Sequence, residues 1–415
     1  MNQCNSSTDH LKALITTIEP IDGGVPSMTN WLCTMLEEHH ISATLAWYAP
    51  WRNYPKLSVP IYRTGSRTPG EIRGRALNNY PSYGFGAWYP EFEFTHYLPS
   101  EAWKNLIKSN QLHFVVSGNT LAATPYVYLN VPFVSWIATP WEADRKNRIL
   151  TFSKKRKFLD SIINKPVLRF LERKILRSPQ GTTLALSSYT SKELQKISKR
   201  EVGDVMLMPV DIEIFTRDPL KTVQWRIGFS GRYCDPRKNI DLLLKGAQIV
   251  LSKGYDLEIV LVGDKDSRIM EEKLETYGLS SYVSCYQHMN PRELSFLLQT
   301  LDIFVIPSHQ EGLCISALEA MACGIPVIST RCGGPEEYVI PLKTGYLVDF
   351  RPESLASAIL EIGSDRELRS QLSERCRKWV EENASKDSSR RIFKKHLYDL
   401  AKRNRVDHLL ERDTL

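Results

Sequence analysis

The stretch IFVIPSHQEGLCISALEAMACGIPV, residues 303–327, decides the architecture. Ile303 to Ile306 is an apolar run of the length that suits a buried strand, and Pro307-Ser308 ends it. A helical stretch through Ala317, Leu318, Ala320 and Met321 follows, and Gly324-Ile325-Pro326 leads into a second apolar run, Val327 to Ser329. Further runs at Arg226 to Ser230, Leu257 to Val262 and Tyr282 to Tyr286 also alternate with helical stretches, including Ile240 to Val250. Strands and helices alternating at these lengths predict a parallel sheet covered on both faces. Ligands of such sheets bind beyond the carboxyl ends of the strands. The loops to watch are therefore Gly231 to Lys238, Gly263 to Asp266, Pro307 to Gly312 and Arg331 to Gly334.

The first half repeats the pattern more faintly. Ala13 to Ile18, the turn-rich Glu19-Pro20-Ile21-Asp22-Gly23-Gly24, a helical Thr29 to Glu38 and the run Ala43 to Tyr48 form a βαβ unit. Residues 50 to 100 are rich in Tyr, Trp, Pro and Arg without periodicity and read as irregular, acceptor-facing loops. Short strands are predicted at Phe114 to Val116, Phe133 to Ile137 and Leu184 to Ser187. Met208-Pro209-Val210-Asp211, with Phe215, Asp218 and Pro219 behind it, reads as a linker. The expected domains are 1–215 and 216–386, each an α/β unit, with 387–415 as a basic helix that packs back across an existing domain.

A chain of 415 residues suits two cores, and 42% hydrophobic with 24% charged residues excludes a disordered or fibrous class. Eight cysteines are scattered with no CxxC pair and no Cys/His cluster at zinc spacing, so they read as buried reduced thiols. The start MNQCNSSTDH lacks a basic, then apolar, leader, and no run reaches the ~18 apolar residues of a membrane span. The expected location is the cytoplasm. Arg145 to Arg177 holds twelve Lys/Arg against Asp160 and Glu172, which puts +10 there and leaves about −3 for the rest of a +7 chain. Interleaved with Phe158, Leu159, Ile162, Val167, Leu168 and Leu171, this segment reads either as a solvated helix face or as a peripheral contact with an anionic membrane, at its inner face. No nucleic-acid partner is expected.

Two of the loops carry chemistry. In Gly231-Arg232-Tyr233-Cys234-Asp235-Pro236-Arg237-Lys238-Asn239 a glycine turn and fixed cations precede a helix, a setting in which backbone N–H groups and the helix dipole favour an anion such as a diphosphate. Glu311 lies in the second loop and can accept hydrogen bonds from sugar hydroxyls, while Gly312 and Leu313 offer N–H groups. Glu319 sits among apolar neighbours, where a carboxylate is costly without a partner, and vicinal ribose hydroxyls would supply one.

Glu311 and Glu319, with seven residues between them, together with Pro307-Ser308, Glu311-Gly312, Glu319-Ala320 and Gly324-Ile325-Pro326-Val327, resemble the EX7E region of the family 4 glycosyltransferases, of the group 1 type and the GT-B fold. Gly231-Arg232 with Lys238-Asn239 is similar to that family's phosphate-binding loop, and Gly333-Gly334 and Gly345 to Asp349 also fit. The similarity covers most of residues 225–350. Gly23-Gly24 resembles the family's N-terminal glycine pair, which lies near the donor phosphate and the acceptor and is expected to bind the donor, but Ser117-Gly118-Asn119 and Ala138-Thr139-Pro140 stand where many members carry histidines.

The resemblance implies two Rossmann-like domains with a cleft between them and a C-terminal helix crossing back. It implies a hexosyltransferase that moves a sugar, with retention, from a nucleotide-diphospho-sugar donor to a glycan, lipid-linked or small-molecule acceptor, as in polysaccharide biosynthesis. Arg232 and Lys238 would stabilise the leaving diphosphate and Glu311 would position the sugar. Glu319 would hold the ribose, and Gly23, Gly24, Gly312 and Leu313 would allow close backbone approach. No metal or cofactor is expected: Asp264-Lys265-Asp266 spells the DxD signature of metal-using relatives of another fold, but reads as a strand-end loop. His113 and His288 read as structural. Two alternatives stay open, a silent nucleotide-sugar-binding protein and a nucleotide-sugar epimerase of the same fold.

Overall fold

The computed structural model describes residues 10–21, 23–149, 153–217, 225–263 and 268–410. They divide into two compact units. One gathers the chain up to Leu186, Thr190–Met206 and the part from Arg390 onward, and the other Ser187–Tyr189 with Leu207–Ser389. Asp22, Asp218, Pro219 and the Asp264-Lys265-Asp266 motif lie outside the described residues.

The first unit is a seven-stranded sheet of β1 (Lys12–Thr17), β2 (Ser42–Tyr48), β3 (Glu71–Ala76), β4 (Tyr80–Phe85), β5 (Leu112–Ser117), β6 (Phe133–Ile137) and β7 (Gly181–Ala185). Its order is β3-β4-β2-β1-β5-β6-β7, parallel except for β3. Ile15 of β1 stands between Leu45 and Phe114 in register, and all three are buried because central parallel strands are covered on both faces. Helix Gly24–Glu38 turns Met28, Leu32, Met35 and Leu36 inward at helical spacing.

The irregular reading of residues 50–100 is corrected here. β4 pairs in parallel with β2, Leu45 opposite Ser82, and β3 folds back on it with Ile72 opposite Gly84. The sequence EIRGRA of β3 gave no strand signal because an edge strand with mostly exposed side chains needs no apolar alternation, only the ladder to its neighbour. The helix Lys386–Arg403 belongs to this unit from Arg390 onward: Phe393, Leu397 and Leu400 are buried, Arg390 pairs with Glu38 at 2.8 Å, and Asp204 receives Lys395 at 2.7 Å.

The second unit is an all-parallel sheet of β8 (Arg226–Ser230), β9 (Glu258–Gly263), β10 (Val283–Gln287), β11 (Ile303–Ile306), β12 (Val327–Thr330) and β13 (Gly345–Val348) in the order β10-β9-β8-β11-β12-β13. Helix Ile240–Ser252 presents Leu243, Leu244, Ala247 and Val250 to Ile227, Ile259 and Val305. The chain runs outward from β8 to β10 and then returns to the other side of β8 as β11, so the loops after β8 and β11 part company there. That is the position at which an open parallel sheet forms a ligand crevice. Among the described residues no helix is long and apolar enough to cross a membrane.

Candidate functional site

Glycine geometry brings the carboxyl ends of β8 and β9 together. Gly231 has φ 146 and donates its N–H to the Val262 carbonyl at 2.9 Å. From there the chain passes the buried Tyr233 and makes a 3-10 turn, Pro236–Lys238, whose first N–H, that of Arg237, donates to the Asp235 carboxylate at 3.0 Å. Asn239 then adopts a left-handed conformation and its amide donates to the Pro307 carbonyl at 3.0 Å. The backbone N–H of His309 reaches the Arg237 carbonyl at 2.8 Å. The loops after β8 and β11 are thereby tied to each other at two points.

This tie sets Lys238 against Glu311. The ammonium lies 2.7 Å from Glu311 Oε1, and the Ser308 hydroxyl donates to the same oxygen at 2.6 Å. Burial alone would lower the Lys238 pKa, but the Glu311 carboxylate outweighs it and holds the ammonium above its ordinary value. The site therefore keeps a fixed positive charge beside a fixed acceptor.

Glu311 is in turn clamped by the loop after β12: its N–H goes to the Cys332 carbonyl at 2.8 Å and its carbonyl accepts from Gly334 N at 3.0 Å. A Cβ at Gly334 would stand 2.1 Å from the Gly312 carbonyl oxygen, so only glycine permits this approach. Helix Ile315–Ala322 begins three residues after Gly312. Among the described residues the N–H groups of Gly312 and Leu313 make no hydrogen bond, while the Gly312 carbonyl accepts from Ser187 and the Leu313 carbonyl from Tyr338, both at 2.7 Å. Two unspent donors thus stand next to the Lys238–Glu311 pair.

Glu319 lies on that helix, half-buried, and its carboxylate has no hydrogen bond or ion pair among the described residues. Burial pushes its pKa up to about 7. A partner that donates hydrogen bonds would favour the ionised form. Arg232 is placed differently. Its side chain is 63% exposed and reaches Asp235, at 3.4 Å, whereas Arg237, to which sequence reasoning gave no role of its own, is the better-buried cation on Asp235, at 3.2 Å. Burial works against the Asp235 charge, but Arg237 and its own N–H hold that carboxyl below the ordinary range. Ser308 was also passed over, although its position three residues before Glu311 is a spacing at which a loop side chain reaches back.

Gly23 and Gly24 belong to the first unit. Gly23 caps helix Gly24–Glu38 with φ 123, and a Cβ there would meet nothing within 4 Å. The loops after β5 and β6 are joined by Thr139 N to the Gly118 carbonyl at 2.8 Å. Beneath them Glu172, 1% exposed, accepts from Trp141 N at 3.1 Å and the Thr120 hydroxyl at 3.3 Å, and burial pushes its pKa up to about 7. Sequence reasoning saw Glu172 only as an acid in a basic segment. His113 is buried between the Ile107 and Pro132 carbonyls, at 3.0 and 3.3 Å, and burial lowers its pKa, as befits a structural histidine. His288 is exposed. Four of the free cysteines, Cys33, Cys323, Cys332 and Cys376, are buried.

Residues 211–379 match the family model described as glycosyl transferases group 1. The chain is 27% identical over 228 residues to a D-inositol 3-phosphate glycosyltransferase of Arthrobacter sp., covering 50% of this chain and 54% of that protein. It is 35% identical over 123 residues to a GDP-mannose-dependent alpha-mannosyltransferase of Mycolicibacterium smegmatis, covering 30% of each. The chain thus spans about half the length, or less, of these relatives. Among solved structures, sucrose-phosphate synthase from Thermosynechococcus elongatus aligns over 94% of this chain and 99% of its own, with a TM-score of 0.73 and 18% identity. Anabaena HepE, solved in complex with UDP and glucose, aligns over 94% of this chain and 100% of its own, with a TM-score of 0.66 and 14% identity. The fold is GT-B, two parallel-sheet α/β units.

Proposed function

From the match of residues 211–379 to the glycosyl transferases group 1 family, we propose that this chain is a retaining glycosyltransferase that moves a hexose from a nucleotide-diphospho-sugar donor. The observation that carries this reading is the Lys238–Glu311 pair, 2.7 Å apart, beside the unspent N–H groups of Gly312 and Leu313. As the bond from the sugar to the diphosphate breaks, negative charge grows on the leaving phosphate oxygens. Lys238 and Arg232, with backbone N–H donors, stabilise that charge, and they are most effective in a site that excludes water. Glu311, freed from full commitment to Lys238 by the arriving diphosphate, accepts hydrogen bonds from the sugar hydroxyls and fixes the ring. Glu319 accepts from the ribose diol, the partner it lacks among the described residues.

In this reading the second unit, with its switch-point loops, holds the donor. The first unit offers the acceptor side, with Gly23 and Gly24 leaving room for close approach. The acceptor is a glycan or lipid-linked intermediate, and a peripheral contact with an anionic membrane through 145–177 brings the enzyme to it in the cytoplasm. Fixed cations do the work that a divalent ion does elsewhere, so no metal takes part.

Purified protein incubated with a panel of UDP- and GDP-sugars should release nucleoside diphosphate with one of them, at a rate that excess EDTA leaves unchanged. Transfer to a supplied acceptor should give a product with the donor's anomeric configuration by NMR. Loss of turnover in EDTA that manganese restores would overturn the metal-free mechanism. Donor binding without turnover against any acceptor would favour a silent binding protein.

A further inference from the structure

The basic segment of the first unit is a nearly continuous helix with one irregular turn. Lys154–Leu159 and Lys165–Leu176 are α-helical, and Asp160–Asn164 between them is a π turn. Pro166 accounts for it. Proline has no N–H, so the Ile162 carbonyl loses its donor four residues on, and the chain answers with a wider turn in which Lys165 N–H reaches the Asp160 carbonyl.

That turn changes which side chains share a face. At ~100° per residue an uninterrupted α-helix would place Phe170 about 120° round from Phe158. A π turn advances less per residue, which brings Phe158, Ile162 and Phe170 close to one line. Burial agrees with that geometry: Phe158 is 68% exposed, Ile162 57% and Phe170 65%, while Asp160, Asn164, Leu168, Leu171 and Ile175 are all buried on the opposite side. Three large apolar side chains in a row, each more than half in water, are unusual on a soluble surface. Around them stand exposed cations: Lys154, Arg156, Arg169, Arg173 and Lys174. Glu142 pairs with Lys165 and Arg169, at 3.0 and 2.6 Å, and the buried Asp160 and Glu172 face inward, so the outer face stays strongly positive.

We propose that this face is a membrane-docking surface lying flat in the interface of an anionic bilayer. Phe158, Ile162 and Phe170 enter the boundary between headgroups and acyl chains, and the flanking Lys and Arg meet lipid phosphates. This rests on the reading that 145–177 contacts a membrane, and adds which side chains enter it and why they align. An amphipathic helix with aromatic and aliphatic residues on one side and Lys/Arg beside them binds by buried apolar area together with electrostatic attraction. A protein partner would also cover an apolar row, but the net +10 of the segment favours a surface of repeating negative charge.

Co-sedimentation with sucrose-loaded vesicles tests it, using the full chain, phosphatidylcholine alone and a 7:3 phosphatidylcholine–phosphatidylglycerol mixture at low salt. Wild type should partition at least ~10-fold more strongly to the anionic vesicles, and salt should weaken this as screening lengths shorten. The triple variant Phe158→Ser, Ile162→Ser, Phe170→Ser should keep the wild-type Tm and nucleotide-induced thermal shift, because these side chains are exposed, but lose ~10-fold or more of the partitioning. No partitioning of wild type to either vesicle would overturn the membrane contact itself. Unchanged partitioning of the folded triple variant would overturn insertion alone. Neither result touches donor binding, which the thermal shift reports separately.

Discussion

Lys238 and Glu311 meet at 2.7 Å across two loops 73 residues apart, each with little more than a tenth of its side-chain surface in contact with solvent. Two charges in such a setting pay for desolvation by their mutual attraction, so removing one partner should cost more than removing both. Lys238→Met should lower unfolding free energy by at most ~3–5 kcal/mol, the range for a broken buried pair, and residual exposure will reduce it. The double variant Lys238→Met, Glu311→Gln should regain much of that loss. Urea unfolding of the four proteins in the cycle gives the answer. A double variant destabilised by the sum of the two single losses would mean that the pair contributes no coupling.

Charge that grows during the reaction and a hydroxyl pair that does not change should respond differently to mutation. Arg232→Ala or Lys238→Ala should lower kcat by ~10²-fold to 10³-fold, the scale for losing one charge-stabilising donor. Glu319→Gln should spare kcat and weaken donor binding by roughly 1–3 kcal/mol. Wild-type kcat in both cation variants would remove them from leaving-group stabilisation, and an unchanged donor Kd in Glu319→Gln would remove the ribose role.

Glu319 also predicts a pH dependence. Its pKa in the folded protein, pushed up to about 7 by burial, exceeds its ordinary value of 4.5. The stability that goes with the protonated form is full below the unfolded pKa and is lost as pH rises through the folded pKa. Ribose hydroxyls donate hydrogen bonds, so they select the ionised form, and a nucleotide-sugar diphosphate carries no proton in this range to blur the signal. Donor affinity should rise by about tenfold from pH 6 to pH 8, as expected for a single group titrating near 7. Calorimetric titration of donor at both pH values should show this slope in wild type and a flat profile in Glu319→Gln. A slope that persists in the variant assigns the proton elsewhere.

The second unit was legible in the sequence because each central strand is buried on both faces and reads as an unbroken apolar run, as Ile303–Ile306 does. β13, Gly345–Val348, is an edge strand that opens on glycine and is only half-buried at Tyr346 and Leu347, so it gave no unbroken apolar run, and β3 is a strand by pairing alone. Within the site, Glu319 was legible because a carboxylate in an apolar stretch demands a reason, and Glu311 because it opens the EX7E spacing from a loop at a strand end. Ser308 and the Arg237 carbonyl were not, since they act through backbone and hydroxyl geometry that residue type does not reveal. Arg232 shows the converse: its type and position suit a phosphate, yet its side chain is mostly exposed and its ion pair with Asp235, at 3.4 Å, is long. The fold subdivides where the chain, read linearly, gives no sign, for Ser187–Tyr189 belong with the second unit, Ser187 through its hydroxyl on the Gly312 carbonyl.

Two glycines assigned to close approach should fail for different reasons when given a methyl group. Gly23 has φ 123 but open space around it, so Gly23→Ala is strained by backbone conformation alone, at a cost of roughly 1–2 kcal/mol. If that space is kept for a substrate, the variant should stay folded and lose more activity than its stability loss explains. The Cβ of Gly334→Ala would stand 2.1 Å from the Gly312 carbonyl oxygen, a backbone atom, and the clash cannot be relieved by turning a side chain. The loop after β12 must then move off Glu311, breaking the Gly334 N–H bond to its carbonyl, 3.0 Å in the native chain, and loosening the Gly312 and Leu313 donors next to it. Gly334→Ala should therefore lose both stability and the thermal shift induced by saturating nucleoside diphosphate, whereas Gly23→Ala should keep that shift because the second unit is untouched. Equal retention of the shift in both folded variants would mean that the loop after β12 does not support the donor site.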